Sequence, residues 1–207
     1  MKIVYVDNYD SFATTIATYF ELAGKKLRPD CKVPIFNSDS SISRIKTENP
    51  DLLLLGPGPN SPNEAGNYLE LIDKFKNITP IFGVCLGFQS LMQYYGEDVG
   101  KLGEIIHGGA SDVYHNQGSF FRGIKSPGEF ARYNSLGVYN VPNDFVRLAY
   151  SLENEREVVM AAEHQTLPVG GVQFHPESIL STGDNKGMKL VENVLNEYVI
   201  GRNGNGR

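Results

Sequence analysis

Cysteine is scarce: 207 residues hold only Cys31 and Cys85. A disulfide framework normally shows more, at regular spacing, and although one bridge between the two is conceivable, Cys85 has a better use. Basic residues form no stripe. The net charge is −5, and the longest basic cluster, Lys25, Lys26 and Arg28, reads as a solvated loop, so nucleic acid is not an expected partner. No apolar run approaches the roughly 20 residues that span a bilayer. No charged start and apolar stretch precede the strand-like run Ile3 to Val6, so no signal peptide is read. A cytoplasmic protein without a membrane partner is expected. No Gly-Lys-Ser/Thr ending marks a phosphate loop, and His107, His115 and His164 lack zinc-ligand spacing. No metal site is expected, and there is no internal repeat or low-complexity block.

What is present suits one globular domain over residues 1–200. Hydrophobic residues at 41% are enough for a core without staples. Lys2–Val6, Val33–Phe36, Asp51–Leu55 and Pro80–Val84 read as strands. Thr14–Leu22 (stopped by Gly24), Ser41–Thr47, Gly66–Phe75 and Gly87–Tyr95 read as helices. This alternation predicts an α/β fold: an open, mostly parallel sheet with helices on both faces. Ligands then bind beyond the carboxyl ends of the strands, where the loops after Val6, Leu55 and Val84 converge. From about Leu102 to Pro168 the helical period fades, predicting a small antiparallel β section, with Val158–Ala162 and Val169–Phe174 the clearest strands. Gly187–Ile200 closes the domain as an amphipathic helix. The tail, residues 201–207, is Gly, Asn and Arg only and is expected to fray.

Three segments carry chemistry. Gly83-Val84-Cys85-Leu86-Gly87 lies between a strand and a helix and has the G-x-nucleophile-x-G form of a sharp elbow. Glycines allow the turn, the helix N-terminus stabilises a thiolate, and the Leu86 N–H is placed to donate to an oxyanion. A buried structural cysteine in a glycine turn is the plainer alternative. In Phe174-His175-Pro176-Glu177, proline fixes the backbone between a base and its orienting acid. Alone, such a pair reads more simply as a surface turn; joined to the cysteine elbow it reads as the rest of a triad. Gly56-Pro57-Gly58-Pro59-Asn60-Ser61-Pro62 is a rigid loop able to present backbone amides on the same rim, or else a tight exit turn.

Pro80 to Gln89 and Gly170 to Ser178 resemble the nucleophile and His-x-Glu segments of the class I glutamine amidotransferases. Asp7-Asn8-Tyr9-Asp10-Ser11-Phe12 and Glu177-Ser178-Ile179-Leu180 are similar to the small subunits of anthranilate synthase and aminodeoxychorismate synthase, and the likeness runs from Met1 to about Tyr198. The resemblance implies a flavodoxin-like amidotransferase domain. It also implies a catalytic triad of Cys85, His175 and Glu177, with oxyanion-hole amides from Gly58 and Leu86. L-Glutamine would be bound by Gly58, Pro59, Asn60, Gln89, Ser135 and Leu136. Without the resemblance, Gln89 reads as an exposed helix residue, Ser135 and Leu136 read as a loop, and Asp10 and Ser11 serve equally as helix caps or partner contacts. The implied partner is a large chorismate-using synthase subunit, in a heterodimer or heterotetramer. The products would feed tryptophan or folate biosynthesis, and any Mg2+ would belong to that partner, with no cofactor in this chain.

The chain departs from the family pattern at Asn60 (usually Gly), Gly109 (usually Lys) and Asn134 (usually His). Asn60 tolerates a left-handed backbone, Asn134 keeps polarity without a titratable group, and Gly109 bears on the identity of the partner. A stand-alone γ-glutamyl hydrolase, an amidotransferase for a non-chorismate acceptor, and a non-catalytic module on the same fold are the rival readings.

Overall fold

Residues 1–201 are described in a computed structural model. In chain order they form β1 (Ile3–Asp7), α1 (Ala13–Leu27), β2 (Ile35–Asn37), α2 (Ile42–Thr47), β3 (Leu52–Leu55), α3 (Tyr68–Phe75), β4 (Ile81–Val84) and α4 (Leu86–Tyr94). There follow β5 (Gly100–His115), β6 (Gly128–Gly137), β7 (Phe145–Glu153), β8 (Arg156–His164), β9 (Val169–Val172) and α5 (Lys186–Leu195), with short single turns between. One sheet holds nine strands in the order β2-β1-β3-β4-β9-β8-β7-β5-β6.

Strands β1, β3, β4 and β9 are buried along their whole length, as unbroken apolar runs covered on both faces must be. Successive side chains point to opposite faces, and this divides the core. Ile3, Tyr5, Leu52, Leu54, Phe82 and Val84 pack with Ile16 and Phe20 of α1 and Leu190 and Val194 of α5. Val4, Val6, Leu53, Leu55 and Ile81 pack with Ile45 of α2, Leu71, Ile72 and Phe75 of α3, and Leu91 of α4. Each such buried side chain contributes about 1.5–3 kcal/mol of transfer free energy, so two helical layers are fixed by the strand period alone.

The fold class is therefore as expected, with one difference of proportion. β2-β1-β3-β4-β9 pair in parallel. The β9-β8-β7-β5-β6 half is antiparallel and contributes as many strand pairings as the parallel half. Register shifts in β5 and β7 bend this half, since a bulge raises local twist.

Four element expectations need correction. Gly24 does not stop the first helix, which runs on to Leu27. A side chain at Gly24 would collide with the Cys31 sulfur, so glycine here permits close packing rather than termination. Lys25 and Lys26, read as loop, occupy the last turn of α1, where cations favour the helix dipole. The last parallel strand ends at Val172, before Phe174. Ser135 and Leu136 lie in β6 instead of a loop. Of the tail, Gly201 has helical backbone (φ −59°, ψ −32°), and the fraying expected of residues 202–207 lies outside the described residues. Both cysteines are free.

Candidate active site

Because β1, β3, β4 and β9 run parallel, the chain leaves all four at one rim. There, a cavity of about 540 Å³ is lined by Tyr9 to Phe12 after β1, Pro57 to Pro59 after β3, Cys85 after β4 and His175 after β9, with His107 and Tyr133 closing it from β5 and β6.

Cys85 stands between β4 and α4 with φ 53° and ψ −105°, a conformation that costs a non-glycine residue of order 1–3 kcal/mol. The neighbours enforce it. A side chain at Gly83 would meet the Gly87 carbonyl carbon at 2.5 Å, and one at Gly87 would collide with the Leu55 carbonyl. Backbone bonds then fasten the elbow to its neighbours: Cys85 N–H donates to Val172 O (2.9 Å) and Gly87 N–H to Gly56 O (3.1 Å). The strain is held by the sheet on either side.

His175 is equally fixed. Its N–H donates to Ala131 O (2.9 Å), and the Ser181 hydroxyl donates to His175 O (2.6 Å) while accepting from Ala131 N–H (2.9 Å). The imidazole packs edge-on to the Tyr133 ring at 5.0 Å. Its Nδ1 lies 2.7 Å from Glu177 Oε1, which fixes the ring's orientation and frees Nε2. That nitrogen is buried, and the Cys85 sulfur is the group that interacts with it. Burial pushes the imidazolium down, but the Glu177 carboxylate and the Cys85 sulfur together outweigh it, and the His175 pKa stands well above the ordinary value. Burial also raises the Asp10 carboxyl, against the Phe12 N–H bond and the nearby His175, which lower it.

The loop after β3 and the first turn of α4 each present one candidate donor near this pair. Among the described residues, neither the Gly58 nor the Leu86 N–H has a hydrogen-bond partner. Gly58 is pressed on Asn8, whose Cβ would sit 2.6 Å from an added side chain. Asn60 has φ 70°, the left-handed geometry expected of it. Gly109 follows a bulge at Gly108, and Ile106 Cγ2 lies 3.1 Å from where a side chain would begin.

The structure thus brings Gly58, Pro59, Cys85 and His175 to one cavity, with Glu177 behind His175 and Leu86 opening α4. Asn60, Gln89, Ser135 and Leu136 are not among the lining residues. Gln89 is buried, not exposed; its Nε2 donates to Leu136 O (2.8 Å) and to Gln173 Oε1 (3.1 Å). Asp10 Oδ1 accepts from Phe12 N–H (2.7 Å), an Asx turn ahead of α1. The N-cap position of α1 is Phe12 and carries no side-chain cap bond, so neither Asp10 nor Ser11 caps the helix, and both line the cavity. Sequence reasoning missed Tyr133 and Ser181. The alternation of Ala131, Tyr133 and Ser135 along one strand face was the available signal for Tyr133; Ser181 has none, because its bond to Ala131 joins residues 50 positions apart. Among the described residues no group of three or more His, Cys, Asp or Glu side chains is placed to hold a metal, and no helix is long and apolar enough to cross a membrane.

Residues 4–194 match the family model for glutamine amidotransferase class-I. The chain is 40% identical over 198 residues to aminodeoxychorismate/anthranilate synthase component 2 of Bacillus subtilis, covering 95% of this chain and 96% of that one. It is 36% identical over 203 residues to anthranilate synthase component 2 of Methanocaldococcus jannaschii, covering 95% and 98%. Among solved structures, a glutamine amidotransferase of Thermotoga maritima shares the fold with a TM-score of 0.75 at 16% identity, over 96% of this chain and 98% of that one. With the strained cysteine elbow, the paired histidine and glutamate, and these matches in agreement, the chain belongs to the class I glutamine amidotransferase family.

Proposed function

We propose that this chain is the glutamine-hydrolysing component of a two-component synthase that uses chorismate. The observation that carries the chemistry is the Cys85 elbow facing a His175 whose Nδ1 is held by Glu177 at 2.7 Å. Cys85 attacks the side-chain amide carbon of glutamine, and the oxyanion is received by the free amides of Gly58 and Leu86, each worth about 2.7–4 kcal/mol of barrier. His175 protonates the leaving nitrogen and ammonia departs. Water, deprotonated by His175, then cleaves the γ-glutamyl thioester to glutamate and restores the thiol. Glutamine is held by the Gly58-Pro59-Asn60 loop on one side and by Gln89 and the Ser135–Leu136 backbone on the other. Ammonia passes to the large component, where it adds to chorismate. The component 2 names of relatives that align end to end with this chain support that partner, as do the Asp7–Phe12 and Glu177–Leu180 segments. One small component serving both the anthranilate and the aminodeoxychorismate branch fits the Bacillus subtilis relative's name. We assign no cofactor to this chain, and we place it in the cytoplasm, where free Cys31 and Cys85 stay reduced.

The test is glutamate release from glutamine by the purified chain, alone and with an anthranilate-forming large subunit plus chorismate, beside Cys85→Ala. Release that rises with the partner and vanishes in the variant is expected. Strong release without a partner would make the chain a stand-alone hydrolase. Silence with both the anthranilate-forming and the aminodeoxychorismate-forming partners would overturn the reading.

A further inference from the structure

Behind the cavity, and lining none of it, lies a buried ion pair. Arg132 Nη2 and Glu153 Oε1 are 2.6 Å apart, and both side chains are almost wholly removed from water. Among the described residues the guanidinium Nη1 and both Glu153 oxygens make no directional hydrogen bond. A pair so poorly completed is a weak source of stability, because desolvation of two charges offsets most of their attraction. What it does instead is visible in the next bonds. Arg132 Nε donates to Asn134 Oδ1 (3.1 Å), and Asn134 Nδ2 donates to Leu136 O (2.9 Å). Leu136 O also accepts from Gln89 Nε2 (2.8 Å), so both lone pairs of that carbonyl are in use.

This constrains how a ligand is held. The Leu136 carbonyl has no acceptor capacity left for a substrate ammonium group, which leaves the peptide N–H groups and the Ser135 carbonyl. Ser135 has no register partner on β5, where the pairing shifts between Lys101 and Ile106. β6 is the last strand of the sheet, and its outer edge already takes His175 at Ala131. The backbone at Ser135 is therefore left unpaired on β5 while Leu136 pairs with Lys101, and the side chains that anchor the Leu136 carbonyl are those of Asn134 and Gln89.

We propose that Glu153, Arg132 and Asn134 form a positioning relay that sets the Ser135–Leu136 backbone, with Gln89, for binding glutamine, so that substrate affinity in this chain depends on Asn134. The inference rests on the glutaminase reading above. Asn134 is the element that converts a charge-assisted contact into a donor aimed at a carbonyl. Its amide accepts on one side and donates on the other, and neither an aliphatic nor a carboxylate side chain can do both.

Asn134→Ala and Asn134→Asp test this, with KM and kcat for glutamine measured in the complex with the large subunit. The dissociation constant of glutamine is measured by calorimetry in a Cys85→Ala background. Asn134→Asp keeps the shape and the Arg132 contact but removes the donor to Leu136 O. Both variants are expected to raise KM and the dissociation constant about tenfold, the scale of one buried carbonyl left short of a donor, with kcat within about twofold. The double substitution of Arg132→Met with Glu153→Met, which replaces the pair by apolar volume, is expected to raise KM likewise while leaving the melting temperature near that of the parent. Recovery of wild-type affinity in Asn134→Asp would show that the Arg132 contact alone matters and would overturn the relay. So would unchanged affinity in folded Asn134→Ala. If the Cys85→Ala parent binds no glutamine at all, the glutaminase reading itself falls, and that result is distinct from a parent that binds and variants that do not differ from it.

Discussion

His175 is held between opposing influences, and their balance is open to titration. Burial alone would favour the neutral imidazole, whereas Glu177 and Cys85 favour the cation and prevail. A histidine whose folded-state pKa exceeds its unfolded value of about 6.5 binds more protons folded than unfolded. Its contribution to stability is complete below that value and is lost as pH rises through the folded-state pKa. Glu177→Gln removes the larger favourable influence and leaves burial in place. Wild-type protein should therefore lose more stability than Glu177→Gln as pH rises from about 6.5 through the folded-state pKa, followed by urea unfolding. Equal slopes for the two proteins would show that Glu177 does not govern the proton on His175. The grouping of Cys85, His175 and Glu177 was legible because the elbow at Cys85 needs glycines beside it and His175 has a proline-fixed acid two residues on, and both features are local. The Ser181 hydroxyl that clamps His175 to Ala131 was not legible, because nothing in a lone serine foretells a bond across the fold.

At the scale of elements, glycine carries two different messages that one sequence cannot separate. Gly24 looked like a helix stop and is a contact point inside α1. Gly87 looked like half of an elbow, and the structure agrees: its missing side chain admits the Leu55 carbonyl directly beneath α4. Gly87→Ala must push α4 off β3, an overpacking penalty of about 2–3 kcal/mol, or roughly 5–10 °C in melting temperature for a chain of this size. Gly100, at the start of β5, has nothing within 4 Å of an added Cβ and no left-handed φ, so Gly100→Ala should stay within about 0.5 kcal/mol. Calorimetric melting of the two variants separates the cases, and a Gly87→Ala protein as stable as Gly100→Ala would mean that α4 yields. The parallel strands were readable as apolar runs. β6 was harder to read, because its inward face carries Arg132 and Asn134, buried polar residues that make sense only with Glu153 and Leu136 in place.

For the molecule as a whole, the long antiparallel half of the sheet serves the rim that the parallel half creates. It returns Tyr133 to His175 and lays β5 along the cavity mouth. Two large apolar side chains beside that mouth are left in solvent: Ile179 is 83% exposed and Tyr9 61%. Tyr9 lines the cavity, and Ile179 follows Ser178, whose hydroxyl lies 3.1 Å from Tyr133 Oη. Apolar groups gathered around an active-site opening mark a surface that another chain covers, and on the proposed function that chain is the large synthase component, which must sit over the cavity to receive ammonia. Burying Ile179 in such an interface would make it an anchor, and a charge there would be stranded on docking. Ile179→Asp should leave the melting temperature of the free chain unchanged within the shift that about 0.5 kcal/mol produces. It should raise the large-subunit concentration needed for half-maximal glutaminase stimulation by about tenfold or more. Titration of stimulated glutamate release against the large subunit measures this directly, and a half-saturation point that does not move would place the docking surface away from Ile179.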